Sequence, residues 1–148
     1  MKRAMQRLLL LALLVVAPGC GLLRTPPPRY DTVRTDTGLI VRDLVVPESG
    51  EEVRAGDRVT LEFTLSLQDG TLLESSLEDG RPLTVEVGAG QVPAGLDEGL
   101  VGMRRFGRRL LVVPPELAFG ETGAPPDIPP SATLRFEVEV MEIEAATP

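Results

Sequence analysis

The chain has 148 residues, with 22 acidic against 15 basic side chains, no histidine, no tryptophan and a single cysteine. That length suits one domain of ordinary size and is too short for two. The missing histidine and lone cysteine exclude imidazole acid–base catalysis, a His/Cys zinc site and an intrachain disulfide, and a formal net charge of -7 opposes a nucleic-acid-binding face.

In chain order, Lys2, Arg3 and Arg7 precede an apolar run from Leu8 to Ala17, and Pro18, Gly19 and Cys20 follow. A basic start, an apolar stretch too short to cross a bilayer as a stable helix, and a zone of small residues predict an export signal over 1–19. The cysteine sits where the apolar run ends. The arrangement resembles a bacterial lipoprotein signal, although Ala17 stands where leucine is usual. That resemblance implies cleavage before Cys20, acylation of its thiol and a lipid bilayer as partner; ordinary secretion is the alternative. Gly21 is not the aspartate that retains such proteins in an inner membrane, which implies an outer membrane, facing the periplasm, in a two-membrane cell. Residues 20–37 then read as the lipidated cysteine and its tether. Pro26, Pro27 and Pro28 form a stiff extended run, and Arg24, Arg29, Asp31, Arg34 and Asp36 suit water.

A folded domain is expected over 38–144, with 145–148 as a short tail. Leu39–Pro47 predicts an edge strand. From Arg58 to Leu67, Val59, Leu61, Phe63 and Leu65 alternate with Thr60, Glu62, Thr64 and Ser66, the pattern of a half-buried antiparallel strand. Asp69-Gly70 predicts a hairpin, Thr71–Glu74 its returning strand, and Asp79-Gly80 a further turn. Leu83, Val85 and Val87 give a short strand. Pro93–Leu100 is the one helical candidate, with Pro93 in the first turn and Leu96 and Leu100 on one face. Arg108–Val113 is the next strand, ended by Pro114-Pro115. The last and longest carries Leu134, Phe136, Val138 and Val140. About five antiparallel strands and one short helix define an α+β class, with the sheet curled over the helix.

Few groups offer covalent chemistry. Ser75 and Ser76 have no histidine to activate them. Glu74, Glu78, Asp79, Glu116, Glu121 and Asp127 lack the aromatic platforms of a sugar cleft and the alternating ligands of a calcium loop, so a solvated acidic surface accounts for them. Gly88-Ala89-Gly90 lacks the Lys-Ser/Thr of a phosphate loop and reads as a turn between strand and helix. What remains is apolar: Leu83, Val92, Leu96, Phe119, Ile128 and Phe136, on strand ends, the helix and the Pro-rich loop.

Three segments give these residues a direction: Asp97-Glu98-Gly99-Leu100 with Gly102-Met103, Pro115 through Gly120, and Ile128 through Leu134 with Phe136 beyond. Together they resemble the FKBP-type peptidyl-prolyl isomerases over roughly Leu39 to Glu144. The resemblance implies a curved antiparallel sheet over one short helix and a pocket that receives the proline of an X–Pro peptide. It implies catalytic positions at Glu74, Phe119 and Phe136, and substrate-binding positions at Phe63, Leu73, Leu83, Val92, Pro93, Leu96 and Ile128. Rotation about the peptide bond meets a barrier of ~18–20 kcal/mol without any bond breaking, so no metal or cofactor is required.

Several of these positions depart from the family pattern. Family members commonly carry tyrosine at Phe63 and at Phe119, Phe-Asp at Leu73-Glu74, an aromatic at Leu83 and tryptophan at Leu96. At Pro93 they present a backbone N–H, which proline lacks. Val92, Ile128 and Phe136 fit. The resemblance implies a monomeric isomerase of weakened activity that assists exported proteins through their proline-containing segments. A catalytically silent peptide-binding or chaperone module of the cell envelope is the alternative.

Overall fold

The computed structural model describes residues 31–147. The predicted signal, Cys20 and the Pro-rich part of the tether lie outside them. Among the described residues there are seven strands: β1 (Thr32–Arg34), β2 (Ile40–Val45), β3 (Arg58–Leu67), β4 (Leu72–Ser75), β5 (Leu83–Glu86), β6 (Arg108–Val113) and β7 (Leu134–Glu144). They form one antiparallel sheet in the order β1-β2-β6-β7-β3-β4, with β5 beside the first half of β3. Two helices complete it, α1 (Ser76–Asp79) and α2 (Ala94–Leu100). None is long and apolar enough to cross a membrane.

The long central pair follows directly from its alternation. Val59, Leu61, Phe63 and Leu65 of β3 and Leu134, Phe136, Val138 and Val140 of β7 are all buried, and the two strands pair in register from Leu67↔Leu134 to Leu61↔Val140. One residue of slip would turn both rows to solvent, so this register is strongly specified.

The sheet wraps over α2, and two glycines set how closely. A Cβ on Gly95 would lie 3.1 Å from Cγ2 of Val113 and nearer still to Cγ1, and one on Gly99 would lie 2.6 Å from Cδ2 of Leu111 and nearer still to Cδ1. Leu96 and Leu100, on the same buried face, complete the contact. At the other end of α2 the Arg109 guanidinium donates to the carbonyls of Gly99 (2.8 Å) and Val101 (3.1 Å) and pairs with Asp43 at 2.6 Å. One side chain thereby satisfies orphan helix carbonyls, complements the helix dipole and ties α2 to β2.

Three local expectations are corrected. The predicted tether overlaps β1: Thr32, Val33 and Arg34 pair with Arg42, Val41 and Ile40, so β2 is not the edge strand. The Asp79-Gly80 turn closes α1, whose cap Ser75 accepts from the Glu78 amide and whose Gly80 adopts φ 63. Pro93 caps α2 from just outside it, its carbonyl accepting from the amides of Leu96 and Asp97.

Candidate active site

Residues paired across an antiparallel sheet share a face, which places the predicted site residues in rows. One row crosses the concave face from Glu74 on β4 through Leu65 on β3 and Phe136 on β7 to Leu111 on β6. With strands about 4.8 Å apart, Glu74 stands roughly 10 Å from Phe136 along this row. A second row joins Leu83 on β5 to Leu61 and Val140, and Phe63 lies between the two, opposite Val138.

Burial divides the set. Phe63, Leu96, Ile128 and Phe136 are buried in the core cluster, and Leu73, Leu83 and Val92 pack against it half-exposed. Pro93 is half-exposed, Glu74 is exposed, and Phe119 keeps 39% of its surface accessible. The predicted residues therefore spread along the concave face: Phe63 and Leu83 lie on the rows of Val138 and Val140, toward the start of β6, and the 114–133 loop that carries Phe119 and Ile128 spans the end where β6 leaves and β7 begins.

The loop over this end is tied by its own backbone. Pro115–Leu117 makes a single 3-10 turn, and the Gly120 amide donates to the Pro115 carbonyl at 2.8 Å. Ala124 and Ile128 exchange two hydrogen bonds at 2.9 and 3.0 Å, and the Ser131 amide returns to the Gly120 carbonyl at 3.0 Å. Gly123, at φ 67, passes so close to the carbonyls of Ile128 and Pro129 that a Cβ would lie 2.5 Å from each oxygen. This knot turns Ile128 inward and Phe119 outward. A groove of about 300 Å³ continues from this end between Leu67–Asp69 and Pro129–Thr133.

Sequence reasoning missed three polar supports. Asp97, quoted there only as part of the Asp97-Glu98-Gly99-Leu100 segment, accepts from the amides of Gly88 (3.0 Å) and Gly90 (3.1 Å) and fixes the turn leading to Val92. Ser76, dismissed as a nucleophile, is buried; its Oγ accepts from the Phe63 amide at 2.8 Å and pairs with the Glu62 carboxylate. It locks β4 beside β3 and so sets where Glu74 emerges. Glu98 accepts from the Thr37 hydroxyl, 2.8 Å from its nearer oxygen, holding the β1–β2 turn against α2. A serine or aspartate beside a turn signals capping, but which amides it reaches depends on loop geometry. Among the described residues no group of three acidic or cysteine side chains is placed to hold a metal.

The geometry defines a domain in which one curved antiparallel sheet wraps over a short helix. A family model described as FKBP-type peptidyl-prolyl cis-trans isomerase matches residues 49–141. Human peptidyl-prolyl cis-trans isomerase FKBP2 is 49% identical over 94 residues, 64% of this chain and 66% of that protein. An FK506-binding protein of Neisseria meningitidis serogroup C is 46% identical over 106 residues, 71% of this chain and 95% of that protein. The crystal structure of FkpA from Escherichia coli matches with TM-score 0.70 and 34% identity, over 78% of this chain and 53% of that one. That of AtFKBP13 matches with TM-score 0.71 and 32% identity, over 78% and 99%. The chain belongs to the FKBP-type peptidyl-prolyl cis-trans isomerase family. It spans 65–66% of the length of the mammalian FKBP2 proteins it matches.

Proposed function

We propose that the protein is a peptidyl-prolyl cis-trans isomerase of exported proteins, held at a membrane by acylated Cys20 and working with a reduced set of polar contacts. One observation supports the reading: Phe63, Leu96, Ile128 and Phe136, from β3, α2, the Pro-rich loop and β7, are buried in one apolar cluster, with Glu74 on the same face of the sheet as Phe136. A planar peptide bond owes part of its stability to charge separation between oxygen and nitrogen, and twisting removes both. An apolar, water-poor pocket penalises the planar forms more than the twisted one, which lowers the barrier without a nucleophile, metal or cofactor.

The polar part of the site is thin. Pro93 presents no N–H, and Phe119 and Phe63 bring no hydroxyl. Each absent hydrogen bond withholds about 0.5–1.5 kcal/mol from the twisted amide, and about 1.4 kcal/mol is a tenfold change in rate. These same positions favour a second reading, a peptide-binding module that retained the pocket and lost turnover.

Exchange spectroscopy on short Xaa–Pro peptides separates the two. A rate that rises in proportion to protein, and falls when Phe136 is replaced by leucine in a variant with unchanged circular dichroism, supports the isomerase. Peptide shifts that titrate without any acceleration support the binding module.

A further inference from the structure

The end of the sheet where β2 stops and β6 begins, away from the 114–133 loop, is apolar at its surface. Val45, Val46, Val101 and Phe106 are four of the eight exposed large apolar side chains among the described residues, 41–53% accessible. Topology places them together. Val45 pairs with Arg108 where β2 ends and β6 begins, Phe106 lies two residues before β6, and the Val101 carbonyl is bound by Arg109. A cleft of about 190 Å³ lies between the valines and Gly102–Gly107.

This surface is fixed. The Arg104 guanidinium pairs with Glu52 and donates to the carbonyls of Pro47 and Glu48, tying the 45–52 loop to the 101–107 loop. Phe106 holds φ 66, a conformation that a bulky side chain normally avoids, and its backbone N–H donates to the Val140 carbonyl at 2.6 Å. Its ring stays outside the core, with the Arg105 guanidinium 4.8 Å above it. An aromatic ring beside a cation, among exposed valines, suits the boundary between headgroups and acyl chains. Of the arginines here, 104, 108 and 109 are paired with carboxylates, and Arg105, stacked on Phe106, is the cation left without an ion pair among the described residues.

The entry of the chain turns this end toward an anchor at Cys20. β1 begins at Thr32, opposite Arg42, and runs toward Ile40 and the 114–133 loop, so the chain enters the domain from the Val45–Arg108 end. Eleven steps separate Cys20 from Asp31. Even fully extended they reach only ~40 Å. We propose that the end bounded by Val45, Val46, Val101 and Phe106 faces the lipid, seating Phe106 and Val46 among the headgroups and turning the 114–133 loop with Phe119 away from the membrane. The proposal rests on the lipid-anchored reading above.

The chain contains no tryptophan, so Phe106→Trp, Val46→Trp and Phe119→Trp each introduce a single fluorescent reporter. Mature protein, purified from membranes of producing cells, is placed in phosphatidylcholine vesicles with and without brominated acyl chains. Mass spectrometry first reads the acyl mass on Cys20; its absence overturns the anchor and this proposal with it, leaving the isomerase reading to its own assay. With the anchor present, the reporters at positions 106 and 46 are expected to emit at shorter wavelength and to be quenched by brominated lipid. The reporter at position 119 is expected to keep its aqueous emission. Unchanged emission from positions 106 and 46 on vesicles overturns the proposal, as does quenching at position 119 in their place. A shift in the Phe106→Trp variant that follows protein concentration without vesicles marks a contact between copies and also overturns it. Phe106→Trp is expected to leave exchange of a soluble Xaa–Pro peptide unaltered.

Discussion

The buried and the exposed residues of the candidate site, its floor and its rim, obey different rules. On the floor, Leu96, Phe136, Phe63 and Ile128 are at most 7% exposed and serve the core as much as any ligand. On the rim, Glu74 is exposed and Phe119 is 39% exposed, held in place by turns and loop hydrogen bonds. A floor substitution must be tolerated by the whole domain, whereas a rim substitution changes chemistry at small structural cost. The departures from the family pattern at Phe119 and Glu74 fall where that cost is small. Leu96 and Phe63 are the exceptions, floor positions at which a smaller side chain is accommodated within a closed core.

The largest expected effect breaks the floor. Phe136→Ala removes a ring between Leu65 and Leu111 and is expected to cost about 3–5 kcal/mol of stability. Urea unfolding reads this directly; a loss under about 1 kcal/mol would show that the floor is not part of the core. Next is the close approach of α2. Gly99→Ala places a Cβ against both δ-carbons of Leu111, one of them 2.6 Å away and the other nearer, and Leu111 is fully buried. Overpacking costs about 1–3 kcal/mol, against which alanine recovers up to about 1 kcal/mol of helix propensity. A net loss in urea is expected, accompanied by slower peptide exchange if α2 is pushed toward the pocket.

The same division explains what could be read from the chain. Floor residues announce themselves by period: β3 and β7 alternate along strands of 10 and 11 residues, and Leu96 and Leu100 are spaced for one helix face. β1 carries no such signal, because all three of its residues are exposed and its pairing is backbone alone. α1 is only four residues long, shorter than a periodic pattern needs, and is specified by the Ser75 cap and Gly80 instead. On the rim, residue identities were legible but directions were not. That Asp97 faces the amides of Gly88 and Gly90, or that Ser76 pins Phe63, follows from loop paths that local sequence does not encode.

A smaller effect sharpens the comparison from the rim side. Phe119→Tyr adds a hydroxyl to a partly exposed ring, so it leaves packing nearly untouched. One hydrogen bond to a twisted amide is expected to raise exchange about two- to tenfold. Melting temperature should remain unchanged. Unaltered exchange in the folded variant would mean that Phe119 does not reach the reacting bond.

The smallest effect concerns the β3–β4 turn that carries the rim. Asp69 accepts from the Thr71 amide at 2.9 Å, which favours its ionised form and holds its carboxyl below the usual aspartate range. A carboxyl depressed in the folded state contributes its stabilisation fully above its unfolded value. That contribution disappears as pH falls through the folded value. Asp69→Asn should therefore flatten stability against pH in the acid range, its small loss of stability being fully present near neutrality and absent at low pH. Asp69 is fully exposed, so solvent screening keeps the effect small, and titration of the turn's amide shifts by NMR is the measurement sensitive enough to see it. Peptide exchange at neutral pH should be identical in the two proteins. Were it slower in the variant, the turn would be placing Glu74 as well as closing the hairpin, and the rim would depend on more than Ser76 for its geometry.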